Sequence, residues 1–263
     1  MLYVFDVDGT ISFNGTEINE MIIESIKKLE QYSNQIAFAS ARPIRDLLPI
    51  IPAFTDNHLL IDGNGSIVQT KNNTIDVMNP ISANSTLLIK QLISKYNLNY
   101  LVDDRWNYAS KVKAKTPIIK QIDPGKLAKR VPLNTITNPI KIILLNIPNR
   151  IKKFVANVLA GKKDLSVVEH TGENDIDITS VGINKYSTLR KYTSDKYCAF
   201  GNDSNDLELL AHAEKSIWVL FVLHFNFKSG KNKELKKLNL NPDIICRANN
   251  LDVANVINNF IRD

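Results

Sequence analysis

Residues Met1–Thr10, MLYVFDVDGT, hold the pattern from which the rest of the chain is read. Leu2 to Phe5 form an unbroken apolar run, the mark of a strand buried on both faces of a parallel sheet. Asp6 and Asp8 follow at the strand's carboxyl end with Val7 between them, and Gly9-Thr10 breaks the run. Open α/β sheets bind ligands at that end. Two carboxylates one residue apart repel each other unless a cation or a shared proton lies between them. Gly9 lets the backbone turn so that its amide groups point at an anion. Paired carboxylates, a cation and an anion cradle suggest phosphoryl transfer to an aspartate. Read alone, the same residues describe an acidic turn after a strand.

The 263 residues are enough for a large core and two domains. The net charge of +6 comes from 33 basic and 27 acidic residues. The basic residues are scattered rather than blocked, which favours solvated faces and attraction for anionic substrates over nucleic-acid binding. Cys198 and Cys246 lack metal-type spacing and read as free thiols in a reducing cytoplasm. The first strand leaves no room for a signal peptide, and the apolar run Ile217–Leu223 is too short to span a bilayer. A soluble cytoplasmic protein is expected, with no membrane or nucleic-acid partner.

Along the chain, Asn19 suits a helix N-cap before the periodic Met21, Ile22, Ile26 and Leu29. Ile36–Ala39 is a second buried strand ending in Ser40-Ala41-Arg42-Pro43. Pro43 fits the first position of a helix over Ile44–Ile51. Leu59–Ile61 is a third strand, Asp62-Gly63-Asn64-Gly65 a turn, and a hairpin follows. From Pro80 the character changes: a helix over Ser82–Tyr96, strands at Tyr100–Asp103 and Ile140–Leu145, a helix over Asn149–Ala160 and two more strands. This reads as an α+β unit over 81–177 inserted into an α/β core of 1–80 and 178–263. The core resumes with a helix capped by Asn184, a strand over Tyr197–Phe200 and the loop Gly201–Asp206. A strand at Ile217–Leu223, an edge strand at Asp243–Cys246 and a helix over Leu251–Ile261 close it.

Four places on this core then carry polar residues suited to one job: Asp6 and Asp8, Ser40, Lys185, and Asp203 with Asp206. A doubly wound sheet gathers strand ends in space. A phosphate held there needs a hydroxyl, a cationic side chain and amides, and Mg²⁺ takes oxygen ligands from one or two carboxylates.

These stretches resemble the haloacid dehalogenase superfamily of phosphatases, and within it the sugar-phosphatase-like Cof-type branch. FDVDGT is similar to the first motif, ASARP to the second (usually Thr-Gly-Arg), INKYSTL to the third and FGNDSNDLELL to the fourth. The resemblance covers nearly the whole chain and implies a Rossmann-like parallel core with an inserted α/β cap. It implies Asp6 as nucleophile and Asp8 as acid and base. Ser40 and Lys185 would hold phosphoryl oxygens, with Gly9 and Asn205 beside them, and Asn64 would line the substrate entrance. Mg²⁺ would lie among Asp6, the Val7 carbonyl, Asp8 and a fourth-motif ligand. The fourth motif usually begins Gly-Asp, and here Asn202 follows Gly201. Either Asp203 or Asp206 takes over as ligand, or Asn202 coordinates through its carbonyl.

Arg42 reads as a brace for its loop and Ser40 equally as a helix cap. Asp62 and Asn64 suit turn formers as well as substrate contacts. His58, His170, His212 and His224 show no ligand spacing, and Lys228–Lys237 reads as a solvated face. The implied activity is hydrolysis of small phosphorylated metabolites such as sugar phosphates. The alternatives are a phosphomutase and a non-catalytic binding protein on the same fold.

Overall fold

β1 (Leu2–Asp6) lies in the middle of an eight-stranded sheet and is buried along its whole length in the computed structural model, which describes residues 1–112, 117–169, 174–221 and 241–261. Its side chains alternate between two cores, as strand geometry requires. Tyr3 and Phe5 pack on one face with Ile22, Ile26 and Leu29 of α1 (Glu20–Gln31) and Val253 and Ile257 of α7 (Asn250–Asn259). Leu2 and Val4 pack on the other with Leu189 of α5 (Lys185–Tyr192) and Leu209 and Leu210 of α6 (Leu207–Ala211). Phe5 stacks on Phe200 at a centroid distance of 4.6 Å. Helices on both faces make the sheet doubly wound.

β13 (Ile244–Arg247), β12 (Lys215–Leu220), β11 (Tyr197–Gly201), β1, β2 (Gln35–Ala39) and β3 (Leu59–Asp62) run parallel in that order. β4 (Ile67–Gln69) and β5 (Ile75–Val77) extend the β3 edge as an antiparallel hairpin. Strand order reverses between β1 and β11, so the crevice beyond their carboxyl ends is the topological switch point.

A second sheet, all antiparallel, has the order β7 (Tyr108–Lys111), β6 (Asn99–Asp103), β8 (Lys141–Leu145), β10 (Ile176–Ser180), β9 (Leu165–Glu169). α3 (Ala83–Tyr96) and α4 (Asn149–Ala160) cover one face through Ile89, Leu92, Val155 and Leu159 against Ile142, Leu144 and Ile178. The opposite face presents Leu101, Ile143 and Leu145 toward the first sheet's crevice, where Leu101 and Ile143 share a cavity wall with Asp8 and Arg42. In chain order this sheet and its two helices fall between β5 and β11 of the first sheet.

Several elements differ from their sequence-based bounds. β10 (Ile176–Ser180) crosses residue 177, where the inserted unit is expected to end. α2 (Ile44–Leu47) stops well short of Ile51, because Pro49 has no N–H to continue the helical ladder. Pro43 is its N-cap rather than its first helical residue. β7 falls within a stretch given no strand beforehand, since YASK is short and half polar. β12 ends at Leu220; residues 222 and 223, His170, His224 and the Lys228–Lys237 segment lie outside the described residues. Among the described residues no helix is long and apolar enough to cross a membrane. Both cysteines are free and buried.

Candidate active site

Asp6 closes β1 at the switch point and is almost fully buried. The Lys185 ammonium donates to Asp6 Oδ1 at 2.6 Å and to Asp206 Oδ1 at 2.6 Å, and the Thr10 hydroxyl donates to Asp6 Oδ2 at 2.7 Å. Lys185 has no exposed surface. Burial alone would lower its pKa, but Asp206 and Asp6 outweigh that and hold it protonated. Burial and the Asp206 charge push the Asp6 carboxyl up to about 7, against the pull of Lys185 and Thr10. The two carboxylates flank one ammonium, and with both ionised the cluster carries one negative charge in excess, which suits a further cation.

Local sequence fixes each member. Asn184 accepts from Ser187 N–H and closes a capping box, so α5 starts at Lys185 and aims it along the helix's first turn. Thr188 Oγ1 donates to the Gly65 carbonyl at 2.8 Å and ties that helix to the turn after β3. Gly65 sits at φ +97°, where a Cβ would stand 2.5 Å from the Asn184 carbonyl oxygen; glycine alone permits the contact. Asp206 is held from the other side, its Oδ2 accepting from the Asn202 and Asp203 N–H groups at 3.0 and 3.2 Å.

The acidic loop is arranged differently from the sequence-based expectation in three ways. The Val7 carbonyl accepts from the N–H groups of Thr10, Ile11 and Ser12 at 3.2, 3.0 and 2.9 Å, so it is consumed inside the turn rather than offered to a metal. The Gly9 N–H donates to the Ser12 carbonyl at 2.8 Å and is therefore not free to cradle a phosphate. Asp203 is exposed; its carboxylate accepts from Ser204 N–H at 2.6 Å and caps its own turn. Among the described residues no three His, Cys, Asp or Glu side chains come together as a metal-binding group.

The Asp8 carbonyl, unlike that of Val7, faces the Asn202 side chain beside Asp6. One corner of the Asn202 side-chain amide lies 3.1 Å from the Asp8 carbonyl, 3.1 Å from Asp6 Oδ2 and 3.1 Å from Thr10 Oγ1. The approach depends on Gly9, where a Cβ would come within 2.2 Å of the Asn202 amide.

Around this centre, Arg42 grips the Asp8 carboxylate with Nε and Nη2 at 2.7 Å each and donates to the Gly15 carbonyl at 2.9 Å. The Asp8 side chain keeps 39% of its surface exposed, while Arg42 keeps 11%. Ser40 is buried; its Oγ accepts from Arg42 N–H at 3.0 Å and does not cap α2. Asn205 donates to Asn64 Oδ1 at 3.0 Å, so the expected phosphate-binding and entrance residues meet, with Asn64 in the left-handed region at φ 57°. Next to Asp8 lies a cavity of about 280 Å³, walled by Arg42 and Asp46 from the first sheet and Leu101, Lys141 and Ile143 from the second. Arg42 braces the loop after β1, as expected, through Asp8 and the Gly15 carbonyl. Sequence reading passed over Thr10, for which a hydroxyl four residues after Asp6 was the available signal.

Comparison with known proteins follows this geometry. The model of the haloacid dehalogenase-like hydrolases matches residues 3–220. No curated protein matches by sequence. Among solved structures, a haloacid dehalogenase-like hydrolase from Bacteroides thetaiotaomicron superposes with a TM-score of 0.78 at 18% identity, covering 98% of each chain. TM0651 from Thermotoga maritima gives 0.77 at 21% identity over 98% of this chain and 96% of its own. BT4131, described as a subclass IIB sugar phosphatase, gives 0.71 at 16% identity over 98% of both. These structural likenesses support the fold, and the sequence match, spanning most of the chain, places this protein among the haloacid dehalogenase-like hydrolases.

Proposed function

We propose that the chain is a Mg²⁺-dependent, Cof-type phosphatase that hydrolyses small phosphoric monoesters, sugar phosphates foremost, through a phosphoryl-Asp6 intermediate. The observation that carries this is Asp6 itself: a buried carboxylate, fixed at one oxygen by Lys185 and at the other by Thr10, at the mouth of the switch-point strand. The sugar-phosphatase description of one structural neighbour supports the substrate class.

In this reading an Asp6 oxygen attacks phosphorus while the bond to the leaving oxygen breaks. Asp8 gives its proton to that oxygen, and the alcohol departs. Asp8 then takes a proton from water, which attacks phosphorus and frees phosphate and Asp6. Lys185 offsets charge on the transferring group while restraining Asp6 and Asp206. The Arg42 fork engages both Asp8 oxygens at rest, so Asp8 leaves that fork to take up and deliver the proton. Ser40, whose hydroxyl proton is left to donate, and Asn205 contact the phosphoryl oxygens, and Asn64 lines the entrance.

The donor set fits a divalent ion. Asp6 Oδ2, the Asp8 carbonyl and the Asn202 amide are hard oxygen donors that converge at one corner, and Mg²⁺ accepts such a set with few carboxylates. When bound there it supplies charge neutralisation between the phosphoryl group and Asp6. Asp206 supports this set from behind Lys185. The second sheet and its helices, residues 81–180, act as a cap that admits substrate and then excludes bulk water.

The test is turnover of p-nitrophenyl phosphate with and without Mg²⁺, beside Asp6→Asn. Mg²⁺-dependent phosphate release abolished by the substitution is expected, together with beryllium fluoride bound at Asp6 when Mg²⁺ is present. An inert wild type would favour a binding protein, the reading that the neutral Asn202 keeps open. Transfer of phosphate to a second hydroxyl without release would mark a mutase.

A further inference from the structure

Asn202 does more than replace a carboxylate. Its inward corner faces two pure acceptors, Asp6 Oδ2 and the Asp8 carbonyl, and one hydroxyl that already donates its proton to Asp6. With oxygen at that corner, it faces Asp6 Oδ2 and the Asp8 carbonyl at 3.1 Å each. The Thr10 hydroxyl can donate to it at 3.1 Å only by leaving Asp6, so a cation there relieves the crowding. With nitrogen there, the amide's two N–H groups find acceptors among the same three atoms, and the crowding is relieved without an ion. A carboxylate at this position lacks the second choice, because an ionised acid only accepts.

We propose that Asn202 is a reversible plug of the cation site. Without a divalent ion its NH₂ group points inward and bridges Asp6 to the Asp8 carbonyl; binding an ion requires a half-turn of the amide so that its oxygen becomes a ligand. The inference rests on the phosphatase reading for the identity of the site, but its test uses no turnover. Two consequences follow. The metal-free protein is stabilised by hydrogen bonds that an aspartate could not make. The ion binds more weakly, because it meets one charge fewer and must displace those bonds.

The experiment is a thermal-melting titration of the full chain with MgCl₂, starting from EDTA, for wild type and Asn202→Asp. In EDTA the Asn202→Asp protein is expected to melt lower, since its new carboxylate faces Asp6 and a carbonyl. Mg²⁺ should raise its melting temperature more than that of wild type, corresponding to binding tighter by at least about tenfold. A variant that melts at or above wild type in EDTA, or that binds Mg²⁺ no more tightly, overturns the plug. Absence of Mg²⁺ binding by both proteins overturns the plug and the metal-dependent reading together, whereas failed turnover with the expected melting behaviour removes only the phosphatase reading. Should Asn202→Asp fail to fold, NMR of the wild type decides. The Asn202 side-chain NH₂ resonances, assigned by their loss in Asn202→Ala, are expected to be protected from exchange in EDTA and exposed on Mg²⁺ addition. Resonances that do not respond while Mg²⁺ binds overturn the proposal.

Discussion

Asp62 ends β3 with a carboxyl group that is fully buried and has no hydrogen-bond partner among the described residues. The nearby Ser40 N–H is committed to the Ile61 carbonyl at 2.8 Å. Burial raises the Asp62 pKa well above the carboxylate range, with Lys185 pulling partly back. A folded pKa above the unfolded one means that folding favours the protonated acid. Stability is therefore intact below the unfolded value, about 4, and falls as pH climbs toward the folded value. Asp62→Asn removes the ionisation at nearly constant shape. Its melting temperature should exceed that of wild type at about pH 8 and approach it toward about pH 5. A gap independent of pH would show that Asp62 is ionised and paired. At this scale the sequence was only partly readable. Asp6, Asp8 and Lys185 stood out because charge at a strand end or helix start is written in residue types. The Val7 carbonyl and the Gly9 amide were misassigned because peptide-plane direction is not: three N–H groups turn onto Val7 O, and the Gly9 N–H turns onto Ser12.

Between β11 and α6, a small element carries much of the site's accuracy. Gly201 is an ordinary strand residue in conformation, yet a Cβ there would lie 2.6 Å from Asp206 Cβ and 2.8 Å from its Cγ. The Asp206 side chain is buried and bonded at both oxygens, so it has nowhere to retreat. Gly201→Ala should cost about 1–3 kcal/mol in urea unfolding, the usual range for overpacking. It should also lower turnover more than that loss explains, because Lys185 loses its second carboxylate. Full activity in this variant would mean that the loop relaxes without moving Asp206. Elements as such were largely legible, since β1, β2, β3 and β11 are continuous apolar runs and α1, α3 and α5 announce themselves with Asn19, Ser82 and Asn184 caps. β7 was missed because it is formed by pairing with β6 rather than by a pattern of its own.

Across the whole molecule, the two sheets are joined by a buried charge cluster. Arg45 of α2, about 1% exposed, pairs with Asp103 at the end of β6 and with Asp46, donates to the Trp106 carbonyl at 3.2 Å, and lies over the Tyr108 ring at 5.0 Å. Asp46 in turn accepts from the Asp123 N–H at 2.9 Å. Removing one member of such a pair strands the other in a dry site. Arg45→Met should therefore destabilise the protein by about 3–5 kcal/mol, and adding Asp103→Leu should recover much of the loss. Additive losses in urea unfolding would deny the coupling. No local pattern identified this joint, because Arg45 and Asp103 are ordinary charges until the topology places them face to face.

The contact between Lys185 and Asp6 spans 179 residues, and β1 needs β11 along its second edge. Synthesis thus delivers Asp6 well before its counter-charge Lys185, 179 residues further along. Until Tyr197–Gly201 arrives, the strand has one open, strongly apolar edge and no cationic partner. Pairings this distant in sequence are slow to close and leave sticky surface waiting. The architecture that conceals the Asp6 carboxylate so well in the finished protein therefore leaves it uncompensated until β11 and Lys185 are in place.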